Sequence, residues 1–380
     1  MITRQAEQIV KNYLTKDKKI IVIFGARQIG KTTLLKTIFK DTPDTIWYSG
    51  DEDQTKELFS RADLASLAPL VKGYNTVIID EAQRIENIGI KLKILQDNFG
   101  EDIQFIATGS SSFDLANKIN EPLTGRKRTV RMFPLTIAEL TNEYGYATEL
   151  ANLDNRLIYG SYPAVVTKLE DAKDTISELA SDNLYKDVLN MGEIIKTDKL
   201  HKILQALAMQ VGNQVSMNEI ASLVGLDGKT VDKYISLLEQ SFIIFRLPSF
   251  ARNLRNELKV SQKIFFYDCG IRNALISDFR PVDLRPDIGH LFENYIIAEL
   301  KKRFSTDNIY FWRTKDQQEI DYLIEKNGEI TVIEIKWNEH KVAKLPTIFE
   351  NTYRPKYSFT ITRENYLQAL TGDALSHLDN

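Results

Sequence analysis

Cysteine is nearly missing from this sequence: Cys269 is the single one among 380 residues. One thiol excludes an intramolecular disulfide and a cysteine-rich zinc centre. Histidine is sparse too, and His201, His290, His340 and His377 stand far apart, which leaves no closely spaced histidine metal motif. No apolar run approaches the roughly 20 residues that cross a bilayer. Met1 to Val22 has neither the apolar core nor the small-residue cleavage pattern of a secretory signal. The expectation is a cytoplasmic protein without a membrane-spanning segment. Excess charge is also lacking, since 49 Lys and Arg face 52 Asp and Glu for a net charge of -3. That balance gives no overall attraction to nucleic acid and leaves only local basic stretches, at Arg126, Lys127, Arg128 and Arg131 and at Lys301, Lys302 and Arg303. What is present, 43% apolar and 27% charged residues, reads as ordered protein long enough for two or three domains.

The first third alternates short apolar runs with amphipathic segments. Ile20 to Phe24, Thr45 to Tyr48, Thr76 to Ile79, Ile103 to Ala107 and Thr129 to Phe133 predict strands, with helices opening near Lys31, Leu58, Ile88 and Ser112. Such alternation predicts a mainly parallel sheet covered on both faces. Directly after the first strand stands Gly25-Ala-Arg-Gln-Ile-Gly-Lys-Thr32, the complete G-x-x-x-x-G-K-[ST] pattern at a strand-to-helix turn. Its glycines let backbone N–H groups approach phosphate oxygens, Lys31 neutralises β- and γ-phosphate charge, and Thr32 is a magnesium ligand. The expected nucleotide contacts are Gly25, Ala26, Arg27, Gln28, Ile29, Gly30, Lys31, Thr32 and Thr33. ATP and Mg2+ are the cofactors this implies.

Thr76-Val-Ile-Ile-Asp80-Glu81 carries two carboxylates to the C-terminal end of an apolar strand, where nucleotide chemistry collects in parallel sheets. Asp80 suits the metal and Glu81 suits water activation, against the plainer reading of a helix cap. The next strand ends in Thr108-Gly-Ser110-Ser-Ser112, whose hydroxyls either sense the γ-phosphate or serve a turn, with Ser110 the chosen candidate. Arg126, just before the following strand, is a candidate charge delivered across a subunit interface, or else ordinary surface.

From about Ile137 to Ser249 the pattern is mostly helical. Ser216-Met-Asn-Glu219 opens a short helix, Val224-Gly-Leu-Asp-Gly228 turns, Lys229 to Gln240 continues as helix and Phe242 to Leu247 as strand. This order suggests a winged-helix unit, which serves either DNA binding or protein contact. Beyond it, strands are expected at Lys263 to Tyr267, Asn308 to Trp312, Ile320 to Glu325, Ile330 to Lys336 and Lys356 to Thr362, with a helix at Leu291 to Lys302. Asn327-Gly328 is a two-residue hairpin signal. It sets Lys326 opposite Glu329 and Asp321 opposite Glu334, with Lys336 on the same face and Ile320, Tyr322, Ile324, Ile333 and Ile335 on the other. Opposed carboxylates repel, and a divalent cation would offset that repulsion. Glu293, near the start of a preceding helix, is the candidate third oxygen ligand for a second Mg2+ or Mn2+. An ordinary Glu334–Lys336 surface pair is the competing reading.

With these motifs the sequence resembles the AAA-type P-loop ATPases. It resembles most the prokaryotic ATPases that carry a C-terminal DUF4143 domain, whose recurring segments are matched by Leu123-Thr-Gly-Arg126, Phe133-Pro-Leu135 with Glu139, Gly160-Ser-Tyr-Pro163 and Tyr185-Lys-Asp187. Glu293, Asp321 and Glu334-Ile-Lys336 are similar to the D…E-x-K site of restriction-endonuclease-like folds, although Ile320 replaces the usual proline. The resemblance implies an ATPase domain at 1–145, a helical and winged-helix-like domain at 146–255 and a nuclease-like α/β domain at 256–380. The function expected is ATP hydrolysis driving a conformational or assembly switch, with self-association. The alternatives are an ATP-gated metal-dependent nuclease on DNA or RNA, and an ATP-binding regulatory module that contacts a protein partner.

Overall fold

The run Ile20–Phe24 is apolar on both faces, as a strand must be when helices cover both sides of its sheet. In the computed structural model of the chain it is the fully buried strand β1. The structure describes residues 2–109, 123–183, 197–250, 262–304, 308–314, 316–338 and 344–379. Its contacts divide the chain into two units. Among the described residues, the first covers 2–109, 123–135 and 240–242, and the second covers 136–183, 197–239 and the described residues from 243 onward.

In the first unit β1 lies between two parallel neighbours, β4 (Gln104–Gly109) and β5 (Lys127–Arg131), and β3 (Thr76–Asp80) and β2 (Thr45–Ser49) extend the sheet in the order β2-β3-β4-β1-β5. Helices α1 (Gln5–Leu14), α2 (Lys31–Ile38), α3 (Asp53–Leu58), α4 (Leu64–Val71) and α5 (Ile88–Phe99) connect or flank the strands. No helix opens at Leu58 as expected: α3 ends there, and α4 opens at Leu64, where the Asp63 carboxylate accepts from Ser66 N at 2.9 Å and caps it. β5 starts two residues before its expected position, since pairing with β1 begins at Ile20 opposite Lys127. The helix expected near Ser112 lies outside the described residues.

The second unit opens with a capping box: Thr136 and Glu139 satisfy each other's backbone N–H at the start of α6 (Ile137–Tyr144). Short helices follow, α7 (Tyr146–Ala151), α8 (Leu153–Tyr159), α9 (Pro163–Thr167) and α10 (Ala172–Glu178), then α11 (Thr197–Met209). The helix–turn–helix–strand order is found as read, with α12 (Met217–Val224) capped by Ser216, Gly225 in the left-handed region, α13 (Gly228–Gln240), and a three-stranded antiparallel sheet β6 (Gln214–Val215), β8 (Gln262–Phe266), β7 (Ile244–Pro248). After α14 (Cys269–Leu275), helix α15 (Ile288–Phe304) is buried at every position from Leu291 to Leu300 and packs on β8 and on the final sheet. That sheet runs β12 (Tyr357–Thr362), β11 (Glu329–Lys336), β10 (Glu319–Lys326), β9 (Ile309–Arg313), parallel only between β11 and β12. Helices α16 (Thr347–Tyr353) and α17 (Tyr366–Thr371) complete it. No helix among the described residues is long and apolar enough to cross a membrane.

Two of the recurring segments are structural joints here. Gly160 has φ +79°, and a side chain there would overlap the Asp268 carboxylate, which accepts from Ser161 N at 2.7 Å and from Ile271 N at 3.1 Å. One buried acid thus caps α14 and fixes the turn into α9, whose first residue is Pro163. Glu139 belongs to the capping box just described. Tyr185-Lys-Asp187 lies outside the described residues.

A buried ion pair shows what holds the helical part together. Arg156 Nη2 and Nε donate to Glu149 at 2.7 and 3.0 Å, with both side chains almost wholly enclosed. Removing one partner strands the other charge out of water. Glu149→Ala is expected to cost about 3–5 kcal/mol, read as a lower urea midpoint. Pairing Glu149→Leu with Arg156→Met should recover most of that loss, and a double variant as weak as the single one would contradict the explanation.

Candidate functional site

The turn from β1 into α2 is tight for reasons that individual residues make clear. Gly25 lies so close to the Met132 carbonyl that a β-carbon would overlap it, while Met132 N donates to Phe24 O at 2.7 Å, clasping the end of β5 to the loop's base. Gln28 (φ +60°) and Gly30 (φ +95°) both take the left-handed conformation, and turns with such residues commonly present their N–H groups to an anion. Ala26 and Ile29 are buried, Arg27 is half-buried, and Gln28 and Thr33 are exposed. Lys31 is 5% exposed, and its ammonium donates to the carbonyls of Gly25 and Ala26, each at 2.8 Å. The charge is therefore held inside the loop's own curve, at the N-terminus of α2 where the helix dipole adds to it.

Asp80, at the end of β3, is gripped from both sides. Thr32 Oγ1 donates to its Oδ2 at 2.7 Å, and Thr108 Oγ1 donates to its Oδ1. Thr108 is fully buried on β4 and also accepts from Glu81 N at 3.1 Å, so one hydroxyl fixes both acidic residues. Glu81 stands in the left-handed region at φ +48°, uncommon for a residue with a side chain. Gln83 Nε2 donates to its Oε2 at 2.6 Å. Gly50 makes this strained turn possible, since any side chain there would meet the Glu81 carbonyl.

The structure thus brings Lys31, Thr32, Asp80 and Glu81 to one edge of the sheet. Ser110 lies outside the described residues; of the hydroxyls at the end of β4, Thr108 is the one seen making contacts. Thr108, Gln83 and Gly50 were not singled out from sequence as site residues. The hydroxyl run after β4 marked the neighbourhood, but only the strand register selects Thr108. Arg126 stands level with the N-terminal end of β1, at the opposite edge from the loop, and pairs with exposed Asp97 at 2.5 Å.

In the second unit the hairpin register is as read: Lys326 faces Glu329, and the pairs continue to Tyr322 and Ile333. Beyond that point β10 bulges, two residues, Asp321 and Tyr322, standing against Phe311 of β9. The bulge turns the Asp321 carboxylate into the ladder, where its Oδ2 accepts from Ile335 N at 2.8 Å and from Lys336 Nζ at 2.9 Å. Lys336 also meets Glu334 Oε2 at 2.9 Å. Tyr322, Ile324, Ile333 and Ile335 are buried, and so are Leu323, Ile330 and Val332, so the hairpin is enclosed on both faces; Ile320, expected beside Tyr322, instead joins the cluster of Leu323, Ile330 and Val332, because the bulge lies between it and Leu323.

The expected third ligand is elsewhere. Glu293 is drawn to the buried Lys263, at 2.9 Å, and approaches His290 at 3.6 Å, while Lys263 also holds Glu319 at 2.5 Å. Burial alone would lower the Lys263 pKa, but the two carboxylates outweigh it and raise it. A buried ammonium needs those acids more than an outlying carboxylate pair does, and Asp321 and Glu334 already share Lys336. The Glu293–Asp321–Glu334 metal site is therefore not formed, and no cluster of three or more His, Cys, Asp or Glu able to hold a metal occurs among the described residues.

Three stretches of the chain match known family models. Residues 17–141 match the AAA domain family, residues 150–281 a domain of unknown function (DUF8612) and residues 288–377 a domain of unknown function (DUF4143). The chain carries an AAA-type P-loop domain and a DUF4143 domain. An uncharacterised protein of Mycobacterium tuberculosis is 26% identical over 322 residues, covering 83% of this chain and 70% of that one. Another, from Methanocaldococcus jannaschii, is 26% identical over 313 residues, covering 70% and 64%. Among solved structures, the Pif1 helicase from Bacteroides in complex with ADP-AlF3 and single-stranded DNA aligns at 17% identity over 48% of this chain and 51% of its own, with a TM-score of 0.26. The Hsp104–ADP complex of S. cerevisiae aligns at 13% identity over 63% and 40%, with a TM-score of 0.33. The alignment with the helicase spans about half of that protein, and neither overlap carries an argument about activity.

Within the DUF4143 domain, Glu334 has a measurable consequence. Burial first, and the Asp321 charge second, push its carboxyl up to about 7 against the attraction of Lys336. Its Oε1 is buried without a hydrogen-bond partner. A raised acid pKa means that folding disfavours the charged form, so this carboxyl's contribution is full below its ordinary value of 4.5 and is lost as pH rises through about 7. Glu334→Gln should flatten the stability loss between about pH 5 and about pH 8, by on the order of 2 kcal/mol. Urea midpoints across that range test it; equal slopes in parent and variant would contradict the assignment.

Proposed function

We propose that the AAA domain binds ATP with magnesium and hydrolyses it, and that turnover drives an assembly switch. The observation that carries this reading is the convergence of Lys31, Thr32, Asp80 and Glu81 at one sheet edge, with Asp80 bonded to Thr32 at 2.7 Å. The donors fit a hard cation: a threonine hydroxyl and a carboxylate oxygen already in contact, both half-buried. Mg2+ held there would neutralise charge on the phosphate oxygens.

The loop N–H groups between Gly25 and Thr32 bind and orient the phosphates, and Lys31 exchanges the Gly25 and Ala26 carbonyls for phosphate oxygens. Glu81 accepts the proton of the attacking water, with Gln83 steadying the carboxylate and Thr108 its peptide. Switching enters through Arg126. Its ion pair with Asp97 is exposed, and such pairs contribute little, so the guanidinium is easily released to a neighbouring copy's nucleotide.

Two variants test the reading by phosphate release. Glu81→Gln should lower kcat by at least about 100-fold while nucleotide affinity stays near parental. Arg126→Ala should lower kcat by about tenfold or more with affinity kept, and should abolish the rise in rate per subunit with protein concentration expected of the parent. Equal phosphate release by parent and Glu81→Gln would remove the hydrolytic assignment, and a parental rate independent of concentration would remove the role of assembly.

A further inference from the structure

Besides Asp80, which Thr32 bonds, a residue near the start of the chain also touches the phosphate-loop motif. Arg4, the cap residue before α1, donates through Nη1 to the Ile29 carbonyl and through Nη2 to the Phe133 carbonyl at 2.7 Å. Phe133 follows Met132, whose carbonyl is the surface against which Gly25 is pressed. One guanidinium therefore spans the two chain segments that enclose the loop, and it lies close enough to Gly30 that a β-carbon there would be 3.6 Å from Nη1.

We propose that Arg4 is a positioning residue of the phosphate loop: by bridging the Ile29 and Phe133 carbonyls it holds the Ile29–Gly30 peptide in its phosphate-binding orientation. The inference rests on the nucleotide reading above and deepens it. The peptide bonded by Arg4 at its oxygen is the one whose nitrogen is the Gly30 N–H, a donor at the apex of the loop. A charge-assisted hydrogen bond at a carbonyl polarises its peptide and strengthens the N–H on the other side. The bridge also limits the freedom of a loop that holds two left-handed residues, Gln28 and Gly30, so less order has to be imposed when phosphate arrives. Arginine suits this duty because its planar fork reaches two acceptors at once, whereas lysine offers a point charge.

The test is equilibrium binding of ADP and of inorganic pyrophosphate to the full chain, for the parent, Arg4→Gln, Arg4→Lys and Lys31→Ala, at a temperature well below each variant's unfolding midpoint. Pyrophosphate probes the loop without the nucleoside. Arg4→Gln should weaken both ligands by a similar factor of about ten or more, and Arg4→Lys should restore only part of the loss. A structural contribution alone would lower the unfolding midpoint and leave both affinities unchanged. Parental affinities in Arg4→Gln, alongside loss of binding in Lys31→Ala, would overturn the role of Arg4 and leave the nucleotide reading intact. Failure of the parent itself to bind either ligand would overturn both.

Discussion

The carboxylate of Asp80 is the joint that ties the first unit's acidic sheet edge to its loop. It receives one hydroxyl from the start of α2 and another from the end of β4, so three elements distant in sequence are tied at a single acid. The parallel sheet makes this meeting possible. Ile79 is paired with Ala107 and Phe24 with Gly109, which brings the ends of β3, β4 and β1 to one level, and the loops that follow them face the same side. A one-residue slip of β4 would turn Thr108 to the opposite face and break the joint.

The strain around that joint has an identifiable location. Glu81 and Gln28 are both left-handed without being glycine, and each lies beside a close backbone approach, Gly50 against the Glu81 carbonyl and Gly25 against Met132. Unfavourable conformations of this kind persist when the surroundings over-determine them. Here the surroundings are the sheet core, where β1 is buried from end to end. The stability of the strands thus supports a loop that local propensity alone would not form.

Much of this was legible in the residues themselves. The phosphate loop, the acidic pair after β3 and the Asn327-Gly328 turn are local signals, and local signals fix local geometry; the hairpin register from Lys326–Glu329 to Tyr322–Ile333 followed from the two-residue turn. What escaped was set by partners far away in the chain. Thr108 is distinguished from its neighbouring hydroxyls only by register with β3. Arg4 reaches Ile29 and Phe133 through the placement of α1. Glu293 was expected to join Asp321 and Glu334, but the buried Lys263 claims it, and a lone buried lysine leaves no mark in periodicity. The bulge that re-aims Asp321 arises from pairing with β9, beyond the hairpin that the turn signal specifies. In the same way, Gly160 and Glu139 stand in segments that resemble a family signature, yet a helix cap and a tight turn account for them here.

The proposed phosphate-binding centre joins the β1 loop, with the Lys31 ammonium inside its curve, to the acidic end of β3. A crystal structure with magnesium and a slowly hydrolysed ATP analogue tests it most directly. The Lys31 ammonium should then lie on phosphate oxygens in place of the Gly25 and Ala26 carbonyls, with Thr32 and Asp80 beside the metal. Nucleotide bound elsewhere, or Lys31 still on the two carbonyls with the ligand present, would contradict it.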